Sequence, residues 1–354
     1  MENERRIVFM KYSIGYQIRR EDQFVDYIIT NKDKIGEVYF AWGDFPNGRN
    51  IQIDHEEFEP YESIEKQKRD LEKFAKAEIA TNVLFNGNCY GRESQSREFF
   101  NKIGVTFDFL QRKYGTKTVT TTSVLIAKFI KENFSNVDVR ASVNIGIETS
   151  FSAAAICKYF DSYYAARELN RNIDALHSLH NWCQENGKKL YGLANSGCFS
   201  RCPARTFHDN LVAHEREISA MDNGYAFKGI CAEYFEGQND KNKIISGISF
   251  IRPEDVALYE SVYDGLKLAT RVTAHPINVC SAYFEGKYFG GITDLLEPNH
   301  SRHFYPMIVD NSRFPADFGE KTKNCKQDCG KCHYCSGVYK QALVNLDIGT
   351  FKEL

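Results

Sequence analysis

Short runs of β-branched and aromatic residues alternate along this chain with longer stretches whose apolar positions recur every three or four residues. The runs KYSIGYQ (11–17), EVYFAW (37–42), TNVLFN (81–86), KTVTTTS (117–123), VDVRASV (137–143), SYYAARE (162–168), KLYGLAN (189–195) and GLKLAT (265–270) read as eight strands. The segments 63–80, 96–115, 124–134 and 172–187 carry the helical period and read as amphipathic helices between them. Strand and helix in alternation is the pattern of a parallel sheet. Eight such strands over roughly 260 residues suit a (β/α)8 TIM-type barrel, which is typically about 250 residues long. An open doubly wound sheet is the alternative, although no G-x-G-x-x-G follows the first strand to make it a dinucleotide binder.

The pattern breaks in two places. Residues 203–263 form an excursion expected to lie over one face of the barrel, with ISGISFI (245–251) as an extra strand inside it. From about Asn299 the barrel pattern ends and cysteines crowd together. The expected organisation is therefore a barrel domain, 1–298, followed by a cysteine-rich metal-binding extension, 299–354.

Composition narrows the function class. A 42% hydrophobic share in 354 residues supplies a sizeable core, and a formal charge of −2 leaves no overall positive field to hold nucleic acid. The first ten residues, MENERRIVFM, carry four charges, and nowhere do eighteen apolar residues run together. These features predict a cytoplasmic protein with no membrane partner. Eleven cysteines in such a chain point to a reducing compartment, where closely spaced thiols serve metals or catalysis rather than disulfides. Cys89, Cys157, Cys183 and Cys280 each stand alone in sequence and are expected to be small buried hydrophobes.

In a barrel of this type, function sits where the carboxyl ends of the strands converge. Arg167 and Glu168 follow the sixth strand and Arg271 the eighth; they would line a polar substrate, or else pair internally to close the mouth. After the seventh strand, NSGCFSRCP brings Cys198 and Cys202 to the rim, with Arg205 and His208 able to face the same space. Cys231 is the nearest later thiol and would complete a three-cysteine cluster site. Alternatively, Cys198 is a nucleophile with His208 as base, or the thiols are packing residues.

The segment CKQDCGKCHYC places Cys325, Cys329, Cys332 and Cys335 at C-x3-C-x2-C-x2-C spacing. An uninterrupted run of this kind is closer to ferredoxin spacing than to the paired C-x2-C of zinc sites, so iron–sulfur is the first expectation and zinc the second. The first three also spell the C-x3-C-x2-C of radical S-adenosylmethionine enzymes, but here the motif follows the last strand and Lys331 precedes its final cysteine.

The stretches YAARELNRNIDAL, KLYGLANSGCFSRCP and ISFIRPEDVALYESVYDGLKLATR together resemble the collagenase-like peptidases of family U32, over roughly residues 30–275. In that family a strand ends in Arg-Glu-Leu, the next leads into a cysteine-bearing loop, and a later strand carries a Lys before an Arg. The counterparts here are Arg167-Glu168-Leu169, Cys198 with Cys202, and Lys267 with Arg271. The resemblance implies a barrel holding a [4Fe–4S] cluster through four cysteines in or near those loops. It also implies oxygen-independent hydroxylation of a polar substrate such as RNA or a quinone precursor, while a few members are described as collagenases. The resulting expectation is an iron–sulfur barrel enzyme with one or two [4Fe–4S] clusters. Cys198, Cys202 and Cys231 would be ligands, Arg205 and Lys267 would contact the cofactor, and Arg167, Glu168, His208 and Arg271 would be the catalytic lining. An electron-transfer partner or a related paired chain would accompany it. A collagenase-like peptidase acting on peptides, a metal-stabilised binding or assembly protein, and a radical enzyme are the alternatives.

Overall fold

The computed structural model describes residues 10–49, 60–225, 227–237 and 241–346. Eight strands stand side by side in parallel: β1 (Tyr12–Gly15), β2 (Ile35–Ala41), β3 (Thr81–Phe85), β4 (Thr118–Thr121), β5 (Asp138–Ala141), β6 (Ser162–Tyr164), β7 (Lys189–Leu193) and β8 (Gly265–Leu268). β8 pairs with β1, through Tyr12 with Leu266 and Ile14 with Leu268, and closes the barrel. All eight runs expected from the sequence are strands, each shortened at its carboxyl end where the chain turns into the rim. The loss is greatest after Tyr164, because Arg167–Arg171 winds into a 3-10 turn.

The helices between strands end where their sequences say they should. Ser96 accepts from the Phe99 N–H at the start of Arg97–Tyr114, and Gly115 closes that helix in the left-handed region at φ 68°. Ser123 and Asn172 cap Val124–Asn133 and Ile173–Glu185 in the same way. Each of these helices turns its apolar stripe inward, Ile103, Phe107 and Leu110 in the first, Ile126 and Ile130 in the second.

The inside of the barrel is less ordinary. Branched aliphatic side chains usually fill such a core. Here Glu37 from β2 accepts hydrogen bonds from Ser13 (3.0 Å), Asn82 (2.9 Å) and Arg140 (2.6 Å), all buried. Arg140 also bonds Asp138 at 2.6 Å and lies 3.8 Å from the Tyr191 ring centroid. A polar layer drawn from β1, β2, β3 and β5 thus stands beneath the rim, with every charge partnered.

The segment 203–263 carries the helices Arg205–Ala213, Glu215–Ser219, Ile230–Gly237 and Lys243–Ser246. The extra strand expected at 245–251 is not there. Its first residues are helical, and Ile248 makes a single antiparallel bridge with Phe199. Ile244, Ile245, Ile248, Phe250 and Ile251 are all buried, so packing rather than a sheet ladder satisfies this apolar run, which the eye cannot separate from a strand.

Beyond Asn299 the chain folds back onto the barrel. β9 (Met307–Val309) pairs antiparallel with β10 (Leu343–Asn345). Phe304, Phe314, Phe318, Val338 and Tyr339 belong to the same hydrophobic core as the barrel side chains. Arg252 and Arg171 lie over the Phe318 ring at 5.1 and 5.2 Å. Among the described residues, no helix is long and apolar enough to cross a membrane.

Candidate functional site at the carboxyl rim

Asn195, just after β7, ties the rim together. Its amide donates to the carbonyls of Ala269 (3.0 Å) and Leu295 (2.8 Å), and its Oδ1 accepts from the Ala269 N–H at 2.7 Å. Gly197 then passes so close to Glu297 and Pro298 that a Cβ would meet the Pro298 carbonyl oxygen. Only glycine fits there, and its N–H donates to the Glu297 carbonyl at 2.7 Å. The NSGC stretch is thus a clamp that seats Glu297 beside Cys198.

Above the polar layer lies a cavity of about 50 Å³ with Arg49, Arg167, Lys267, Arg271, Asp209 and Glu297 among its lining residues. Arg49 pairs with Glu297 at 2.9 Å and reaches toward the Cys198 sulfur at 3.9 Å. Arg271 bonds Asn47 Oδ1 at 3.0 Å and lies 5.8 Å from the Tyr39 ring centroid, and Arg167 bonds Asn144 Oδ1 at 3.0 Å. Neither Arg167 nor Arg271 has a carboxylate partner among the described residues. The Lys267 amine lies 4.0 Å from the Tyr39 centroid and 5.2 Å from that of Tyr164. Burial, reinforced by Arg271, lowers its pKa to about 7. The cavity therefore gathers four basic side chains against two acidic ones, one of which is already engaged.

Cys198 also lines this cavity, whereas Glu168, Arg205 and His208 are not among its lining residues. Glu168 is buried and takes the Arg205 guanidinium and the Arg201 N–H on Oε1. Burial pushes its carboxyl up, but these two donors outweigh it and hold the pKa below the usual value. The ion pair at the mouth is thus Glu168 with Arg205, while the neighbouring Arg167 faces the cavity. His208 stacks edge-on to Phe227 at 5.3 Å, and burial together with Arg49 lowers its pKa.

Cys198, Cys202 and Cys231 are all half-buried. Burial raises the Cys231 thiol to about 11, with the field of Cys198 and Cys202 adding to it. Cys325, Cys329, Cys332 and Cys335 line one cavity of about 390 Å³ beside Arg171 and Ser249. The Gln327 N–H donates to the Cys325 sulfur at 3.3 Å, and the Cys325 N–H to the Arg171 carbonyl at 2.8 Å. Among the described residues, no three His, Cys, Asp or Glu side chains are grouped as they would be around one metal ion.

Of the four solitary cysteines, Cys183 and Cys280 are buried among apolar side chains as expected, and burial pushes the Cys183 thiol up to about 12. Cys89 and Cys157 are only half-buried instead. Cys89 lies in the rim loop after β3, where the Gly91 N–H donates to its sulfur at 3.4 Å. Little in the sequence pointed to Arg49, Asn144, Asp209 and Glu297, which reach the site from separate parts of the chain, Asp209 from the helix Arg205–Ala213 and Asn144 from the 3-10 turn Val143–Ile145. The GDFPNGRN turn after β2 was the one local signal available for Arg49.

No family model matches the chain. It is 26% identical over 318 residues to an uncharacterized protease of Methanocaldococcus jannaschii, MJ1657, a match covering 87% of this chain and 88% of that one. The structure of the U32 peptidase Mk0906 superposes with a TM-score of 0.52 at 13% identity, covering 73% of this chain and 92% of the other. These two matches bear out the resemblance to the U32 peptidases, and the second shows that the barrel is shared.

Proposed function

We propose that this chain is a barrel hydrolase that cleaves peptide bonds at its carboxyl rim, with Arg271 and Arg167 receiving a carboxylate of the chain being cut. The observation that carries this reading is the charge of the rim cavity of about 50 Å³, which is lined by the guanidinium groups of Arg167 and Arg271, neither of them in an ion pair among the described residues. Guanidinium grips carboxylate at two points, which fixes a peptide in register as well as holding it. The Arg49–Glu297 pair sets the position of the second wall. The printed names of MJ1657 and Mk0906, a protease and a peptidase, support the same reaction class. The test is to incubate the purified full-length chain with gelatin, casein and short acidic peptides and to map products by mass spectrometry. Cleavage is expected, falling at least about tenfold in Arg271→Ala, the loss of one charge-assisted contact. An absence of cleavage of all three, or cleavage that Arg271→Ala leaves unchanged, overturns the reading.

A second reading keeps iron–sulfur or zinc chemistry, favoured by one observation: all four cysteines of the 325–335 run line a single cavity. Those thiols would hold the group, and the Gln327 N–H would hydrogen-bond a bound sulfur. At the rim, Cys198, Cys202 and Cys231 would be the ligands. A cluster there would supply redox chemistry, with hydroxylation of an RNA, quinone precursor or peptide as the outcome and an electron-transfer partner or paired chain as the accessory. Anaerobic iron, sulfide and zinc analysis of the intact protein and of Cys329→Ser decides it. Metal that falls in the variant supports this reading, and metal-free protein removes it.

A further inference from the structure

Lys267 stands in β8 between Ser13 of β1 and Leu193 of β7, and it lines the rim cavity. Only 8% of the residue is exposed. Among the described residues its amine makes neither a hydrogen bond nor an ion pair. The Tyr39 and Tyr164 rings lie 4.0 and 5.2 Å from it, but their hydroxyls are engaged elsewhere. Tyr39 donates to the Leu268 carbonyl at 2.8 Å, and Tyr164 accepts from Arg140 at 3.4 Å. Glu37 already takes Ser13, Asn82 and Arg140, and Glu297 takes Arg49. Arg271 shares the Tyr39 ring, its guanidinium carbon 5.8 Å from the centroid that the Lys267 amine approaches to 4.0 Å. Gly15 in β1 permits this packing, since a Cβ there would meet both the Tyr39 hydroxyl and Arg271 Cγ.

We infer that Lys267 is a Schiff-base lysine, which condenses with the keto carbon of a small 2-oxo acid while Arg271 and Arg167 hold its carboxylate. The inference uses the two guanidinium groups of the cavity but does not depend on peptide cleavage. An amine becomes a nucleophile when it loses its proton, and desolvation or a neighbouring cation makes it do so. Both conditions hold for Lys267. Its ammonium form carries three donors, and burying it with none of them met is costly, so the neutral form gains. The two ring faces attract a cation, yet they replace none of its hydrogen bonds. The pKa of about 7 follows from the same geometry, burial first and Arg271 second. The charged groups around the amine are Arg271, Glu297, Glu37 and Arg140, with Arg49, Arg167 and Asp209 also on the cavity wall. A ligand suited to this wall offers an electrophilic carbonyl to the amine and an anion to the guanidinium groups. A 2-oxo acid carries the two on adjacent carbons, and a cavity of about 50 Å³ admits only a small one.

The step balances without any oxidant or reductant. The lone pair of the neutral Lys267 amine attacks the keto carbon, the C–N bond forms, and the carbonyl π pair moves to oxygen. That oxygen takes one proton from the nitrogen, giving the carbinolamine. A second proton, from solvent, lets it leave as water while the nitrogen lone pair closes the C=N bond. The product is a protonated imine on Lys267 beside the carboxylate held by Arg271 and Arg167, and addition of water reverses it. Lys267 is the catalytic residue in this scheme, and the two arginines bind the acid.

The test is reductive trapping in the intact protein. The full-length chain is incubated with pyruvate and cyanoborohydride, digested, and mapped by mass spectrometry. At about pH 7 a reduced pyruvate adduct is expected on Lys267, at least about tenfold ahead of exposed lysines such as Lys189, because an unperturbed lysine keeps its proton to about pH 10.4. Acetone, which has the keto group without the carboxylate, should label Lys267 at least about tenfold less, and so should pyruvate in Arg271→Ala. The adduct is located in the wild type, so the outcome does not hang on how a variant folds. Adducts that avoid Lys267, or that fall on lysines in order of their exposure, overturn the inference. Equal labelling of Lys267 by acetone and pyruvate also overturns it, since the guanidinium groups would then select nothing. An adduct on Lys267 in a protein that cuts no peptide upholds the inference and removes the peptidase reading. Peptide cleavage by a protein that forms no adduct does the reverse.

Discussion

Lys267 shows how much one buried residue can report. It points from β8 toward the rim with the Tyr39 and Tyr164 rings around its amine, and burial with Arg271 alongside brings its pKa from 10.5 to about 7. In the unfolded chain the same amine keeps its proton to about pH 10.4. Between these two values the unfolded state binds more protons than the native one, so the contribution of Lys267 to stability rises with pH. That contribution is missing below about pH 7 and complete above about pH 10. Urea unfolding of the wild type and of Lys267→Met checks it. The difference in unfolding free energy should move in favour of the wild type between about pH 7 and pH 9, and a difference that stays flat would show the amine charged throughout. Arg167, Lys267, Arg271 and Cys198 were legible as rim residues because each follows or ends a recognisable strand. Cys89 and Cys157 were misjudged as buried, because a cysteine alone in sequence carries no local signal of its exposure.

At the level of elements, strands were legible wherever a β-branched run met a turn, and helices wherever the period was long enough. What escaped was the apolar run at 245–251, because burial on all sides erases the alternation that distinguishes a strand. The polar layer of the barrel was equally hidden. Glu37 and Arg140 sit in strands that read as ordinary, and only closure of the barrel brings them to 2.6 Å. Removing one partner leaves a buried charge uncompensated, so Arg140→Met should cost about 3–5 kcal/mol by denaturant unfolding. The double variant Arg140→Met with Glu37→Gln should cost less than the sum of the two single changes, because neither charge is then stranded. Strict additivity would mean that the two side chains do not interact.

Over the whole molecule, the C-terminal segment is wedded to the barrel. The Ile173 N–H bonds the Lys323 carbonyl at 2.8 Å, and Phe318 is buried between Phe250, Phe314 and the guanidinium of Arg252. Phe318→Ala should therefore destabilise the entire chain by about 3–5 kcal/mol. Fluorescence and circular dichroism should lose signal together in that variant, and separate transitions would show that the segment unfolds alone. The barrel itself was predictable from eight strands and their spacing, and so was the resemblance to the U32 peptidases. The basic cavity was not, because its walls come from loops that only the closed barrel unites. The most direct measurement of what that cavity does is the ratio of kcat/KM for one cleaved peptide bearing a free carboxylate to that for its amide. A preference of about tenfold or more for the acid, lost in Arg271→Ala, is the result expected of two guanidinium groups awaiting a carboxylate. Equal rates for acid and amide in the wild type would contradict it.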